Sequence, residues 1–142
     1  MAMIHGTASW DDGYAAITAA ITKIKTEVEK AGLKINGRPI TVFLETSDDN
    51  FTYDAMVPIE AIPAGKDKLT AEIRLGKSPP GKAIKFQHRA AYEEIDSTYE
   101  AITAYLDEKG LEAQNLFIEE YINDVKSPED PTLEVNIYVF VQ

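Results

Sequence analysis

Carboxylates and aromatic rings are the chemistry-bearing side chains of this sequence, and they recur side by side. Trp10 precedes Asp11 and Asp12, Tyr92 precedes Glu93 and Glu94, Tyr53 precedes Asp54, and Glu119 and Glu120 precede Tyr121. The closing stretch EVNIYVFVQ, read as a strand, sends Val135, Ile137, Val139 and Val141 one way and Asn136, Tyr138 and Phe140 the other. Two kinds of chemistry are open to such residues. An aromatic face attracts a cation by about 0.5–2 kcal/mol, depending on desolvation, and a carboxylate supplies the opposite charge. A carboxyl held near a reacting atom with a tuned pKa does general acid–base work. The acid pairs at 11–12 and 93–94 fall where helices begin, so they read as complements to the helix dipole rather than as a catalytic dyad.

The bulk composition narrows the field. At 142 residues, 44% of them apolar and 27% charged, the chain suits one soluble domain with a proper core. A net charge of −10 argues against direct contact with nucleic acid, which needs a Lys/Arg surface. The absence of cysteine excludes disulfides and thiolate chemistry. His5 and His88 have no partners at ligand spacing, so neither a metal nor a cofactor is expected. No apolar run approaches the roughly 18 residues of a membrane helix, and MAMIHG is not a signal peptide. A cytoplasmic location is expected, with export of a longer precursor as the open alternative.

The elements that must position these residues form a unit that occurs twice. Tyr14, Ile17, Ile21, Ile24 and Val28 make one helical stripe, and Ile95, Tyr99, Ile102 and Leu106 make another. Each helix closes on Gly-Leu, with Gly32 and Gly110 where a left-handed residue belongs. A strand precedes each helix (MIHGTAS, AIKFQHRAA) and two follow it (RPITVFLE and FTYDAMVPI; LFIEEYIN and LEVNIYVFV). The expected fold class is α+β: duplicated strand–helix–strand–strand modules with pseudo-twofold symmetry, antiparallel sheets and one long helix each. The modules span 3–61 and 82–142 of a single domain, 1–142, joined by a linker and hairpin over 62–81. In that hairpin EIRLG folds back on AIKFQH through a Pro-Pro-Gly turn.

One face of each sheet must take its helix. Alternation assigns Ile40, Val42 and Leu44, with Ala55, Val57 and Ile59, to the helix side of the first module. Phe43, Asp54 and Met56 go to the opposite face. In the second module Glu119, Tyr121, Asn136 and Tyr138 take that opposite face, which leaves Glu120 on the core side, explicable only by a bulge or an edge position.

The strings PPGKAIKFQHRAAYEEIDSTYEAITAYLDEKGLE and EEYINDVKSPEDPTLEVNIYVFV resemble the GyrI-like effector-binding family, which includes effector-binding domains of AraC-type and MerR-type activators. HRAAY at 88–92, EEYIND at 119–124, VNIYVFV at 135–141 and YDAMVPI at 53–59 carry the likeness. The resemblance implies a cleft between the modules, lined by aromatic residues, that takes small, lipophilic and often cationic molecules. On that basis the ligand-binding residues are Trp10, Phe43, Asp54, Met56, Tyr92, Glu119, Tyr121, Asn136 and Tyr138. Asn136 stands where the family carries a Glu, while Asp54 and Glu119 keep acids nearby. Ala90 and Ala91 replace the family's Gly-Pro. The first strand has no outer neighbour ahead of it in the sequence, which suggests a piece of something longer.

The leading expectation is therefore a small-molecule-binding module without its own DNA-binding domain, which reaches nucleic acid only through a fused domain or protein partner. Two alternatives are a hydrolase of electrophilic small molecules, with Asp54 or Glu119 as its carboxyl, and a protein-interaction module of inhibitor type. No membrane partner is expected.

Overall fold

The computed structural model describes residues 1–47, 49–60, 68–77, 82–123 and 129–141. Residues 61–67 of the expected linker, the Pro-Pro-Gly turn within 78–81 and the turn at 124–128 lie outside the described residues. The fold is mixed α+β with antiparallel strands, and it divides into two compact units, Met1–Pro80 and Gly81–Gln142.

The first unit contains β1 (Ala2–Ser9), α1 (Gly13–Lys30), β2 (Ile40–Thr46), β3 (Asn50–Val57) and a two-residue strand β4 (Arg74–Leu75). Its strands lie in the order β4-β1-β3-β2. The stripe read from the sequence is the buried face of α1: Ile17, Ile21, Ile24 and Val28, with Ala20 between them. The helix ends as glycine dictates. Gly32 adopts φ 76°, and Leu33 N–H reaches the Val28 carbonyl at 3.1 Å, closing a Schellman motif.

The second unit contains β5 (Ala83–Arg89), a 3-10 turn (Tyr92–Glu94), α2 (Ile95–Lys109), β6 (Ala113–Tyr121) and β7 (Glu134–Val141), with strand order β6-β7-β5. Gly110 repeats the C-cap at φ 68°, with Leu111 N–H on the Leu106 carbonyl at 2.9 Å. Ile95, Ile102 and Leu106 of α2 pack on Val135, Ile137 and Val139 of β7. In each unit the strand before the helix pairs with the last of the two strands after it. Among the described residues no helix is long and apolar enough to cross a membrane.

The described strands of the expected hairpin each pair within their own unit. Leu75 pairs with Ala2 and Arg74 with Met3, so EIRLG flanks β1, while β5 pairs with β7. The choice follows burial: Ile73 and Leu75 become core residues of the first unit. A tight local turn sets the approach, in which Thr70 Oγ1 accepts the amides of Glu72 and Ile73. β4 thus occupies the outer edge of β1.

The register of the first unit also corrects the assignment of faces. Ile40 pairs with Met56 and Val42 with Asp54, whereas Phe43 pairs with Tyr53 and Thr41 with Ala55. Phe51 lies against Gly13 at the start of α1, which identifies the Phe51–Tyr53–Ala55 face as the helix side. Phe43 is therefore on the helix side, and Ile40 and Val42 are on the far side with Asp54 and Met56. A register shift between Phe43 and Glu45 interrupts the alternation on which the sequence assignment rests.

Gly6 pairs with Tyr53, and a Cβ at that position would come within 2.7 Å of Tyr53 Oη. The tyrosine ring lies over the space that the glycine leaves. Gly6→Ala is expected to force that ring out of a packed aromatic row and to destabilise the protein by about 1–3 kcal/mol, the usual range for overpacking. Urea denaturation measures this, and an unchanged midpoint would mean that Tyr53 moves aside freely.

Candidate functional site

The polar centre of the second unit is a buried carboxylate. Glu119 pairs with Ile137 across β6 and β7, so its side chain points to the helix side, together with Phe117 and Tyr121. This reverses the expected face of Glu119 and Tyr121. Glu120, which pairs with Asn136, takes the far side instead. The reversal removes the anomaly at Glu120 and leaves Glu119 only 1% exposed.

A buried carboxylate needs hydrogen bonds, and three phenols supply them. Tyr92 Oη donates to Glu119 Oε1 at 2.9 Å, Tyr121 Oη donates to the same oxygen at 3.0 Å, and Tyr99 Oη donates to Oε2 at 2.6 Å. Each element presents its tyrosine for a local reason. Tyr121 is two residues beyond Glu119 on the same face of β6. Tyr92 opens the 3-10 turn and Tyr99 lies seven residues on, two helical turns along one face.

The junction carrying Tyr92 is braced by His88, itself 2% exposed. His88 Nε2 donates to the Ala91 carbonyl at 3.0 Å, and Nδ1 lies 2.6 Å from Thr98 Oγ1. One imidazole thus ties the end of β5 to the first turns of α2.

The electrostatics are unusual for a core. Burial holds the Glu119 carboxyl above its ordinary pKa, and the three phenol hydrogen bonds, with the nearby His88 imidazole, pull it back only in part. Burial, reinforced by the Glu119 charge, holds the Tyr92 and Tyr99 phenols well above theirs. No Lys or Arg among the described residues pairs with Glu119.

Beside this centre lies a partly open cavity of about 270 Å³. Tyr99, Ile102, Thr103 and Leu106 of α2 line it, with Phe117 of β6 and Val139 of β7. The Phe117 and Tyr99 rings meet at 5.4 Å between centroids. The walls are mostly apolar, and the Thr103 hydroxyl is taken by the Tyr99 carbonyl at 3.0 Å.

On the far face of the same sheet, Asn136 Nδ2 and Tyr138 Oη both donate to Glu120 Oε1, at 2.9 and 3.2 Å. Asn136 and Tyr138 are thus brought together, but not with Glu119. Glu120 supplies an acid next to the position where the sequence has Asn136.

The remaining expected site residues belong to the first unit and scatter. Trp10 is 44% exposed; it stacks on Phe51 at 4.6 Å and donates Nε1–H to the Ser47 carbonyl at 2.7 Å. Phe43 is buried 5.3 Å from Phe51. Asp54 bonds His5 Nδ1 at 2.8 Å and lies 3.7 Å from an Arg74 guanidinium nitrogen. Met56 is buried on the Asp54 side of the sheet. Among the described residues no three His, Asp or Glu side chains gather as metal ligands.

Comparison with known proteins places this architecture. The structure is similar to the crystal structure of the EcmrR C-terminal domain, with a TM-score of 0.75 and 18% identity over 99% of this chain and 90% of that one. It is also similar to EcmrR in the cryo-EM structure of an EcmrR–DNA complex, with a TM-score of 0.79 and 18% identity. That match covers 99% of this chain and 53% of the EcmrR chain, so the chain spans about half its length. No curated protein sequence matches. The family of GyrI-like small molecule binding domains matches from residue 1 to residue 142, and the chain belongs to it.

Proposed function

We propose that the protein binds a lipophilic cation in its second unit, with Glu119 as counter-charge and the neighbouring cavity as the seat of the apolar body. The observation that carries this reading is a carboxylate 1% exposed that, among the described residues, bonds three tyrosines and no basic side chain. A buried charge bonded by three phenols, with His88 nearby but no ion pair among the described residues, is costly to fold, and a ligand cation is a partner that offsets the cost. The tyrosines add aromatic faces that attract the same charge. The cavity of about 270 Å³ suits a body of one or two fused rings.

A matched pair tests the reading. Protonated 1-naphthylmethylamine and neutral 1-naphthylmethanol share a body and differ in charge. Isothermal titration should show the amine binding about tenfold tighter or more, since a charged hydrogen bond contributes roughly 1.5–3 kcal/mol. Equal affinities would overturn it. Mass spectrometry after incubation with a hydrolysable ester of the same body, 1-naphthylmethyl acetate, separates capture from the alternative of hydrolytic turnover. In a regulatory setting this unit acts as the sensory part, with DNA contact made by another domain or a partner.

A further inference from the structure

The two oxygens of Glu119 are not equivalent. Among the described residues, Oε1 is held by Tyr92 and Tyr121 together, whereas Oε2 is held by Tyr99 alone. Tyr99 is also the one residue lining the cavity that bonds the carboxylate. Among the described residues the cavity has no charged wall, and Thr103, its other hydroxyl, is committed to a backbone carbonyl. A cation seated in the cavity therefore approaches Glu119 past the Tyr99 ring and meets Oε2 at the point where the Tyr99 hydroxyl sits.

From this geometry we propose that Tyr99 is a specificity-determining gate that selects cations able to donate an N–H, admitting protonated amines and disfavouring quaternary ammonium ions. The inference rests on the proposed role of Glu119. Turning the phenol aside breaks a 2.6 Å hydrogen bond to a buried carboxylate oxygen. A protonated amine restores that bond with its own N–H, while a quaternary nitrogen brings charge but no donor. The oxygen is then left without its hydrogen bond in an apolar setting, where an unmade bond is most expensive.

Calorimetry with N,N-dimethyl-1-naphthylmethylamine, protonated at neutral pH, and its N,N,N-trimethyl ammonium analogue tests the proposal. The two cations share charge and ring system and differ by one methyl group and one N–H. The wild-type protein should favour the dimethyl form about tenfold or more, the ratio that a hydrogen bond to a charged group supports.

Tyr99→Phe keeps the ring and removes only the hydroxyl that must be displaced. It should tighten binding of the trimethyl cation several-fold, an effect that a purely structural role for Tyr99 would not produce. Two results would overturn the gate: equal wild-type affinities for the two cations, or a trimethyl affinity unchanged by Tyr99→Phe. If the wild-type protein binds both cations and neutral 1-naphthylmethanol alike, the fault lies with the role of Glu119 itself. Binding of neither cation overturns both.

Discussion

Glu119→Gln is expected to abolish selective cation binding and, at neutral pH, to raise the stability of the protein. The two effects share one cause. Ionised Glu119 sits 1% exposed among phenols, and burial disfavours its charge more than the three hydrogen bonds favour it. A carboxyl whose folded pKa lies above its unfolded value stabilises the folded state when protonated. That contribution is complete below the unfolded pKa and is lost as pH rises through the folded pKa. Above the folded pKa the wild-type protein has lost it. The amide introduced by Glu119→Gln is neutral throughout, so the variant should melt higher near pH 7, and the gap should close as pH falls to the ordinary carboxylate range.

Cation affinity should move the other way. Removing one partner of a desolvated charge pair costs about 2–5 kcal/mol, which is roughly 30-fold or more in affinity. In the wild-type protein the same loss should appear on acidification, beginning above the ordinary carboxylate pKa because the Glu119 value is raised. In the variant the residual affinity should be flat with pH. A variant that melts lower at neutral pH and still binds the amine selectively would refute this account of Glu119.

The two helices and both caps were legible in the sequence because they rest on local rules: a 3.6-residue stripe and a glycine at positive φ. The faces of the strands are less legible. Alternation places apolar residues inside and carboxylates outside, and that expectation put Glu120 rather than Glu119 in conflict with the core. The available signal was the tyrosines: Tyr92 and Tyr99 share a helical face, and Tyr121 shares a strand face with Glu119. Tyr99 read as an ordinary stripe residue, because periodicity registers the ring and not its hydroxyl. Phe43 was misassigned through the register shift next to it, which no local pattern marks. Arg74–Leu75 is short enough to pair with either of two strands, and burial of Ile73 and Leu75 decides for β1.

Ile137→Ala should give the largest loss of stability in the second unit. Ile137 is fully buried in the central strand β7, paired with Glu119 on one side and Phe86 on the other. Truncating a buried isoleucine costs about 2–5 kcal/mol, the upper end applying where the surroundings cannot collapse. Strands hydrogen-bonded on both sides leave little room for collapse, and a small protein has only about 5–15 kcal/mol to lose. Ile84→Ala on the edge strand β5, where the side chain is half-buried, should cost about 1 kcal/mol by the smaller area involved. Urea titrations of the two variants measure the contrast. If Ile137→Ala proves too unstable to compare, Ile137→Val, at about 0.5–1.5 kcal/mol, preserves the test. The void also borders Glu119, so water admitted there would relieve the burial that raises its pKa. The acid limb of cation binding should then shift to lower pH in the Ile137 variant and stay in place in the Ile84 variant. Matching stability losses at the two positions would mean that the core is not centred on β7, and an unmoved acid limb would mean that the void stays dry.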